Sequence, residues 1–507
     1  MKKVIPILTL PLLTSTGLLQ ADVTESSGTQ TISVAAGAST RYELMSISLF
    51  SESFYAGTVV SVSTNTVALD SADFSNADLT TYPHFLRVKA SGSSQGATYL
   101  ITSHTTTGTD DTVTVSSTPS VSASDEVTVI PAHTLASLFG TESENASSIV
   151  DSSGTVTVTT ASAHGLNTGD SVTIEGATGD SGVNDTHTIT RTGSTTFTLD
   201  DYTGTGSYSG GTWYNGNWPT IGSNTTAGDA TDNDELLVGS PATADNVIVW
   251  NTTSSGTSIG WKTYFFRSGK WLTAGTRSNQ EFTVIYPDEG LVLVRKDTDS
   301  FSLTLSGVVP GIDSLGYHPS AGNKFLLSNP YPVAIGLSDL ALDSASGKWE
   351  QSDTASSADQ VLVWTGSSWS TFYKKAGGDW ANASDAINYS NQATATAIAG
   401  TGGSNALQTA DLTLTSGGTG YSFANTNFGI TPSVSISGGG GSGATAEVTL
   451  SGDSVASIAI TNGGSGYTTA PTITITYPII PSGGAAMIVR QSGGSGGNEF
   501  LQAGVPY

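Results

Sequence analysis

The chain has 507 residues, a formal net charge of -25, 12% charged residues, 60 glycines and no cysteine. That acidity argues against a nucleic-acid binder, whose phosphate contacts need clustered Lys and Arg, and against docking on an anionic membrane surface. The absence of thiols excludes disulfides and thiolate metal sites.

In chain order, Lys2 and Lys3 form a positive n-region, Val4 to Leu13 a short apolar h-region, and Ala21 a small residue before Asp22. Residues 1–21 therefore read as a secretory signal, and the mature chain is expected in the periplasm, at the cell surface or in the medium. No later stretch reaches about 18 consecutive apolar residues, so no membrane insertion is expected. Beyond the signal, short runs of Val, Ile and Thr alternate with Gly, Asn, Asp and Ser turns, and no long 3.6-residue period survives. This pattern predicts an all-β protein built of several small sandwich or barrel modules. Residues 22–132 read as an N-terminal β module, with Thr58–Val62 and Thr66–Leu69 as a hairpin around Ser63-Thr64-Asn65. His133 to Phe139 reads as one helical turn capped by Thr134. Residues 148–211 read as an inserted β module.

The next stretch sets the architecture, because most of it is written twice. Ala244-Asp245-Asn246-Val247-Ile248-Val249-Trp250 returns as Ala358-Asp359-Gln360-Val361-Leu362-Val363-Trp364. Trp261 to Phe266, closed by Trp271, returns as Trp369 to Lys374, closed by Trp380. Pro287 to Arg295 returns as Pro481 to Arg490. Repetition of this kind identifies the building unit. Residues 133–312 form a first core repeat and 313–507 a second, in which Gly336 to Leu340 echoes the helical turn. The second copy is interrupted by a Gly-rich module at 393–477, itself duplicated: Ser416 to Tyr421 recurs as Asn462 to Tyr467. Both insertions are expected as surface-displayed appendages.

On these motifs, together with His133 to Phe139 and Asn329 to Val333, the chain resembles an uncharacterised family of secreted proteins known mainly from verrucomicrobial-type bacteria. That resemblance implies a fold and no chemistry. The first insertion, through Ala163 to Asp170 and its strands, is similar to modules of phage and bacterial surface proteins, and to the small β half-domain of ubiquitin-activating enzymes. The chemistry of those enzymes needs a cysteine that this chain lacks, so the likeness implies fold only. The Gly-rich insertion is similar to repeats of phage tail and extracellular proteins.

No constellation carries catalysis. Gly256 to Gly260 and Gly493 to Gly497 match the nucleophile-elbow spacing, but the elbow needs a strand-to-helix turn. Gly438, Gly440 and Gly443 match a dinucleotide loop, yet a strand pattern follows where a helix must. The six histidines show no metal-ligand spacing, and His164 reads as a turn-stabilising residue. Asp229, Asp232, Asp234 and Glu235 form an acidic cluster that reads as a solvated turn rather than a calcium loop. No metal or cofactor is expected.

The tryptophans carry the most information. Trp250, Trp261, Trp271, Trp364, Trp369 and Trp380 recur at matched places, and exposed rings of this kind would stack on sugars. Burial of each ring removes roughly 150–250 Å² from water, so core is the favoured reading. The sequence thus points to a non-enzymatic secreted or cell-surface protein with a structural or adhesive role. A carbohydrate-binding protein is the alternative, and an extracellular polysaccharide hydrolase with a carboxylate pair comes third. An extracellular glycan or surface matrix is the partner these readings allow.

Overall fold

In the computed structural model the described residues are 27–215 and 236–503. Within those spans, residues 39, 52, 76, 91–93, 141–143, 162–163, 165, 167–170, 253–257, 276–277, 341, 343–348, 365–368, 384–392, 419–420, 422–431, 453 and 493–498 are excepted. The expected signal at 1–21 and the acidic cluster at Asp229 to Glu235 lie outside the described residues.

The protein is nearly all β, as the turn-bounded strand pattern dictates, and its centre is a duplicated core. In the first core unit an antiparallel sheet runs Lys270–Thr273, Ser258–Arg267, Asn246–Thr252, Leu291–Arg295, Arg41–Met45. In the second, Trp380–Asn382, Trp369–Lys374, Gln360–Trp364, Ala485–Val489 and Lys324–Ser328 take the same order. Each unit adds a two-stranded ribbon, Ser27–Val34 with Phe301–Val308 and Ser314–His318 with Glu499–Ala503. Each also keeps a short helical turn. Leu135–Phe139 is held by a capping box in which Thr134 Oγ1 accepts the Ser137 N–H and Ser137 Oγ accepts the Thr134 N–H. At Leu337–Asp339 the Gly336 N–H donates to Asp339 Oδ2.

Strand alternation explains how the units join. On one face of the first sheet, Met45, Leu291, Leu293, Val247, Val249, Tyr264 and Phe266 pack under the unit's own ribbon and helical turn. On the other face, Leu44, Val292 and Val294 meet Leu326, Ala485 and Met487 of the second sheet. Leu291–Arg295 is therefore buried along its whole length, the burial of a central strand covered on both faces.

Sequence and structure differ in where the first unit begins. Ser27–Val34 and Arg41–Met45, read from sequence as the start of the N-terminal module, pair with Phe301–Val308 and Leu291–Arg295 instead. What remains, Tyr55–Ser63 to Glu126–Pro131, closes into a six-stranded barrel inserted in the first unit. A second closed six-stranded barrel spans Glu144–Ser152 to Thr212–Asn215. Numbering each barrel's six strands in chain order, both close in the ring order 1-2-5-4-3-6. In both, the long first strand pairs the last strand through its opening residues and the second strand through its remainder.

The three modules attach differently. The first barrel docks on the core through Phe50, Phe85, Ile130, Ala132 and Val308, with Arg87 stacked 4.0 Å over the Phe50 ring. The second barrel closes its apolar core within itself, from Ala146 to Trp213. The Gly-rich module, expected as an appendage, instead merges with the second unit: Tyr421, Val455, Ile458, Ile475 and Tyr477 share one apolar cluster with Phe325, Leu327, Phe372 and Ile488. Its own strands form two-stranded ribbons, among them Ser433–Ser437 with Thr472–Thr476. Ribbons so thin bury too little alone and need the neighbouring core.

Candidate functional site

The six repeated tryptophans divide into two groups. Trp271 and Trp380 end up in the core, 1% and 7% exposed. The Trp271 indole N–H donates to Gly140 O at 2.9 Å, and its ring packs on Phe139 and Phe266. Trp380 packs against the buried Trp349. The other four form two cross-strand pairs. The hairpin registers set Trp250 opposite Trp261 and Trp364 opposite Trp369, edge to face, with ring centroids 4.7 and 5.3 Å apart. Such pairs contribute roughly 0.5–1.5 kcal/mol beyond area burial. The inner rings, Trp250 and Trp364, are half-buried at the margin of the inter-unit interface. The outer rings, Trp261 and Trp369, are 46% and 37% exposed. Two of the six rings thus lie in the core, two are half-buried, and the outer pair faces solvent.

A cleft of about 190 Å³ opens where the first unit's ribbon and edge strand meet the second unit's Pro481-to-Ala485 turn. Gln30, Thr31, Ile32 and Ser33 line it on one side, and Ser482, Gly483 and Gly484 on the other. Glu43 and Trp364 complete the wall. Burial pushes the Glu43 carboxyl up to about 7, so both its neutral and charged forms are populated near neutral pH. The Trp364 indole N–H is shut off from solvent and has no hydrogen-bond partner among the described residues. Gln30 fixes one wall by donating from Nε2 to Ser46 O at 3.0 Å, and the Ser46 N–H donates to Gly483 O at 2.7 Å, tying the two units together.

Each repeat also holds a buried ion pair that is not among the candidate site residues. Asp245 Oδ2 accepts from Arg295 Nη1 at 2.5 Å and from the Leu237 N–H at 2.8 Å, while Oδ1 accepts the Lys296 N–H at 2.5 Å. Asp359 repeats the arrangement with Arg490 Nε at 2.7 Å, the Glu350 N–H at 2.8 Å and the Gln491 N–H at 2.6 Å. All four side chains are buried. The signal was available: the same acid and base recur at matched ends of otherwise apolar strands. Glu43 carried no such signal, because its edge strand echoes Lys324–Ser328 only in pattern.

The remaining sequence motifs find bland places. His164 accepts the Leu166 N–H at Nδ1, lies 3.0 Å from Gly193 O through Nε2, and packs edge-on to Phe197, bracing the turn; burial lowers its pKa. Ser258 opens a strand that runs to Arg267, so no helix follows the elbow spacing. Gly443 lies within strand Ser442–Ser451, which leaves the dinucleotide spacing without its helix. Gly493 to Gly497 lies outside the described residues. Among the described residues no cluster of three or more His, Asp or Glu could hold a metal ion, and no helix is long and apolar enough to cross a membrane.

The ubiquitin-activating enzyme E1 FCCH domain model matches residues 151–215. No curated protein and no solved structure matches the chain. The match falls within the closed barrel of Glu144–Ser152 to Thr212–Asn215, so the second barrel is similar to that small β domain of ubiquitin-activating enzymes.

Proposed function

We propose that this is an exported, non-enzymatic protein with an adhesive or structural role, in which two fused core units form a rigid body that presents the second barrel outward. The observation behind this reading is the self-contained core of that barrel, whose apolar residues close on one another rather than on the body that carries them. Export rests on the sequence at residues 1–21, and membership of the secreted verrucomicrobial-type family rests on the repeated motifs; both belong to the same proposal. The likeness to the E1 FCCH domain brings no enzyme chemistry, because a chain without cysteine cannot form the thioester that such chemistry needs.

The test is saturable binding of labelled mature protein to intact bacterial envelopes and to their extracted extracellular matrix. The expected result is binding that falls when residues 144–215 are replaced by a short Gly-Ser linker. Binding that never saturates, or turnover across a broad hydrolase substrate panel, contradicts the reading.

A second reading, saccharide binding, is favoured by one observation: the outer rings of both tryptophan pairs are solvent-exposed. Among the cleft's lining residues Glu43 is the sole carboxylate, whereas glycoside hydrolysis normally needs two flanking the scissile bond. Binding is therefore better supported than cleavage.

A further inference from the structure

The duplicated core supplies its own control, because each unit shows how the other could have finished the same edge. In the second unit the edge strand Lys324–Ser328 is closed off by a turn of the first. The Gly290 N–H donates to Leu326 O at 2.8 Å and the Ser328 N–H to Asp288 O at 2.9 Å, which bridges Glu289 to Leu327. In the first unit the edge strand Arg41–Met45 meets the Pro481-to-Ala485 turn at the matching place. There the Ser46 N–H donates to Gly483 O at 2.7 Å, but no bridge forms among the described residues. Backbone groups leave a strand on alternate sides, so Leu44, two residues before Ser46, also turns its N–H and C=O away from the sheet. Leu44 pairs with Val292 as Leu326 pairs with Met487, yet the donor that Leu326 receives from Gly290 has no counterpart. The cleft described above lies where that second bridge is missing.

We propose that the open edge of Arg41–Met45 is a docking site for an extended peptide segment of a partner protein, with a Lys or Arg of that segment set opposite Glu43. An added strand supplies the N–H and C=O that the Leu44 backbone lacks, as strand addition does at an uncovered sheet edge. Residues opposite each other on neighbouring strands put their side chains on the same face, so the residue beside Glu43 enters the cleft with it. The walls select its charge. One carboxylate and no Lys, Arg or His lines the cleft. No hydrogen bond or ion pair among the described residues satisfies that carboxylate, and burial alone pushes its pKa up to about 7. Arg41, on the same face of the strand, is held by the carbonyls of Asp297 and Asp299 instead. In the second unit the place of Glu43 is filled by Phe325, which pairs with Ile488 as Glu43 pairs with Leu293. A cleft of about 190 Å³ is smaller than the roughly 300–1,000 Å³ of drug-sized pockets, which suits one long side chain. On the opposite face of the edge strand Tyr42 is 51% exposed and gives the next residue of the segment a ring to pack on.

The test uses the full mature protein and titration calorimetry with acetylated, amidated hexapeptides that alternate Thr with Lys, Thr with Arg, Tyr with Lys, and Thr with Glu. At least one basic peptide is expected to bind with Kd below about 1 mM, and the Glu peptide at least about tenfold more weakly. Glu43→Gln, which keeps the shape of the side chain and removes its charge, is expected to weaken the basic peptide by about tenfold or more. It takes one negative charge from a chain of net charge -25, so attraction by the whole surface cannot account for such a loss. Methylating the peptide's backbone nitrogens is expected to abolish binding, since the added strand then loses its donors. Basic peptides that bind the native protein and Glu43→Gln equally, or that survive the methylation, overturn the docking site. Absence of binding by every peptide at millimolar concentration overturns it as well. So does a concentration-dependent dimer in sedimentation that excludes the peptides, because a second copy of the chain then covers the edge.

Discussion

Within one repeated motif, burial decides what a tryptophan does. Trp380 and Trp369 stand in the same hairpin system, yet one is 7% exposed and the other 37%. Trp380→Ala is expected to cost roughly 3–5 kcal/mol in urea denaturation, and Trp369→Ala roughly 1–2 kcal/mol. Equal costs would mean that the exposed ring is held by contacts the fold does not have. The buried ion pairs behave differently again. Asp359→Ala leaves the Arg490 guanidinium buried without its carboxylate, at an expected cost of about 3–5 kcal/mol by the same measurement. Glu43 supplies the pH dependence. Its carboxyl is pushed to about 7 in the fold against 4.5 in the free group, so the folded state holds the proton that the unfolded chain releases. Stability therefore falls as pH rises through that window. Glu43→Gln is expected to stabilise by roughly 2–3 kcal/mol at pH 8 and by almost nothing below about pH 4.5, read from denaturation midpoints across pH.

Local chemistry fixes the individual elements, and here the sequence is most legible. Thr134 was readable as a cap because a Thr precedes an apolar run, and the five-residue helix uses it as one. Thr134→Ala is expected to lower stability by about 1 kcal/mol, with Thr134→Ser retaining most of it. The hairpin at Ser63-Thr64-Asn65 is likewise in place, with Thr64 at a positive φ of 54°. Legibility falls where an element depends on distant partners. Arg41–Met45 is short and carries two charges, and only its register against Leu291–Arg295 shows that it is the edge of the first core sheet. The tryptophan pairs could be counted from the repeat but not sorted, because which ring faces water depends on the second sheet packing across the interface.

For the whole molecule, duplication is the organising fact, and it was legible because Asp, Trp and Arg recur at matched positions. What could not be read was how each module attaches. The Gly-rich insertion looks like an appendage in sequence, yet the rings of Tyr421 and Tyr477 pack at a tilt, 5.4 Å apart, inside the second unit's core. The first barrel docks through Phe50 and Phe85. The second barrel keeps its core to itself, and its common ring order with the first emerges only from strand pairing. On the proposed reading the two core units stand as one body independent of that barrel. The measurement that tests it most directly is calorimetric unfolding of the mature protein with residues 144–215 replaced by a short linker. The transition of the fused core is expected to survive within a few degrees of its original temperature, with only the barrel's own heat lost. Collapse of the whole transition would show instead that the barrel is part of the core.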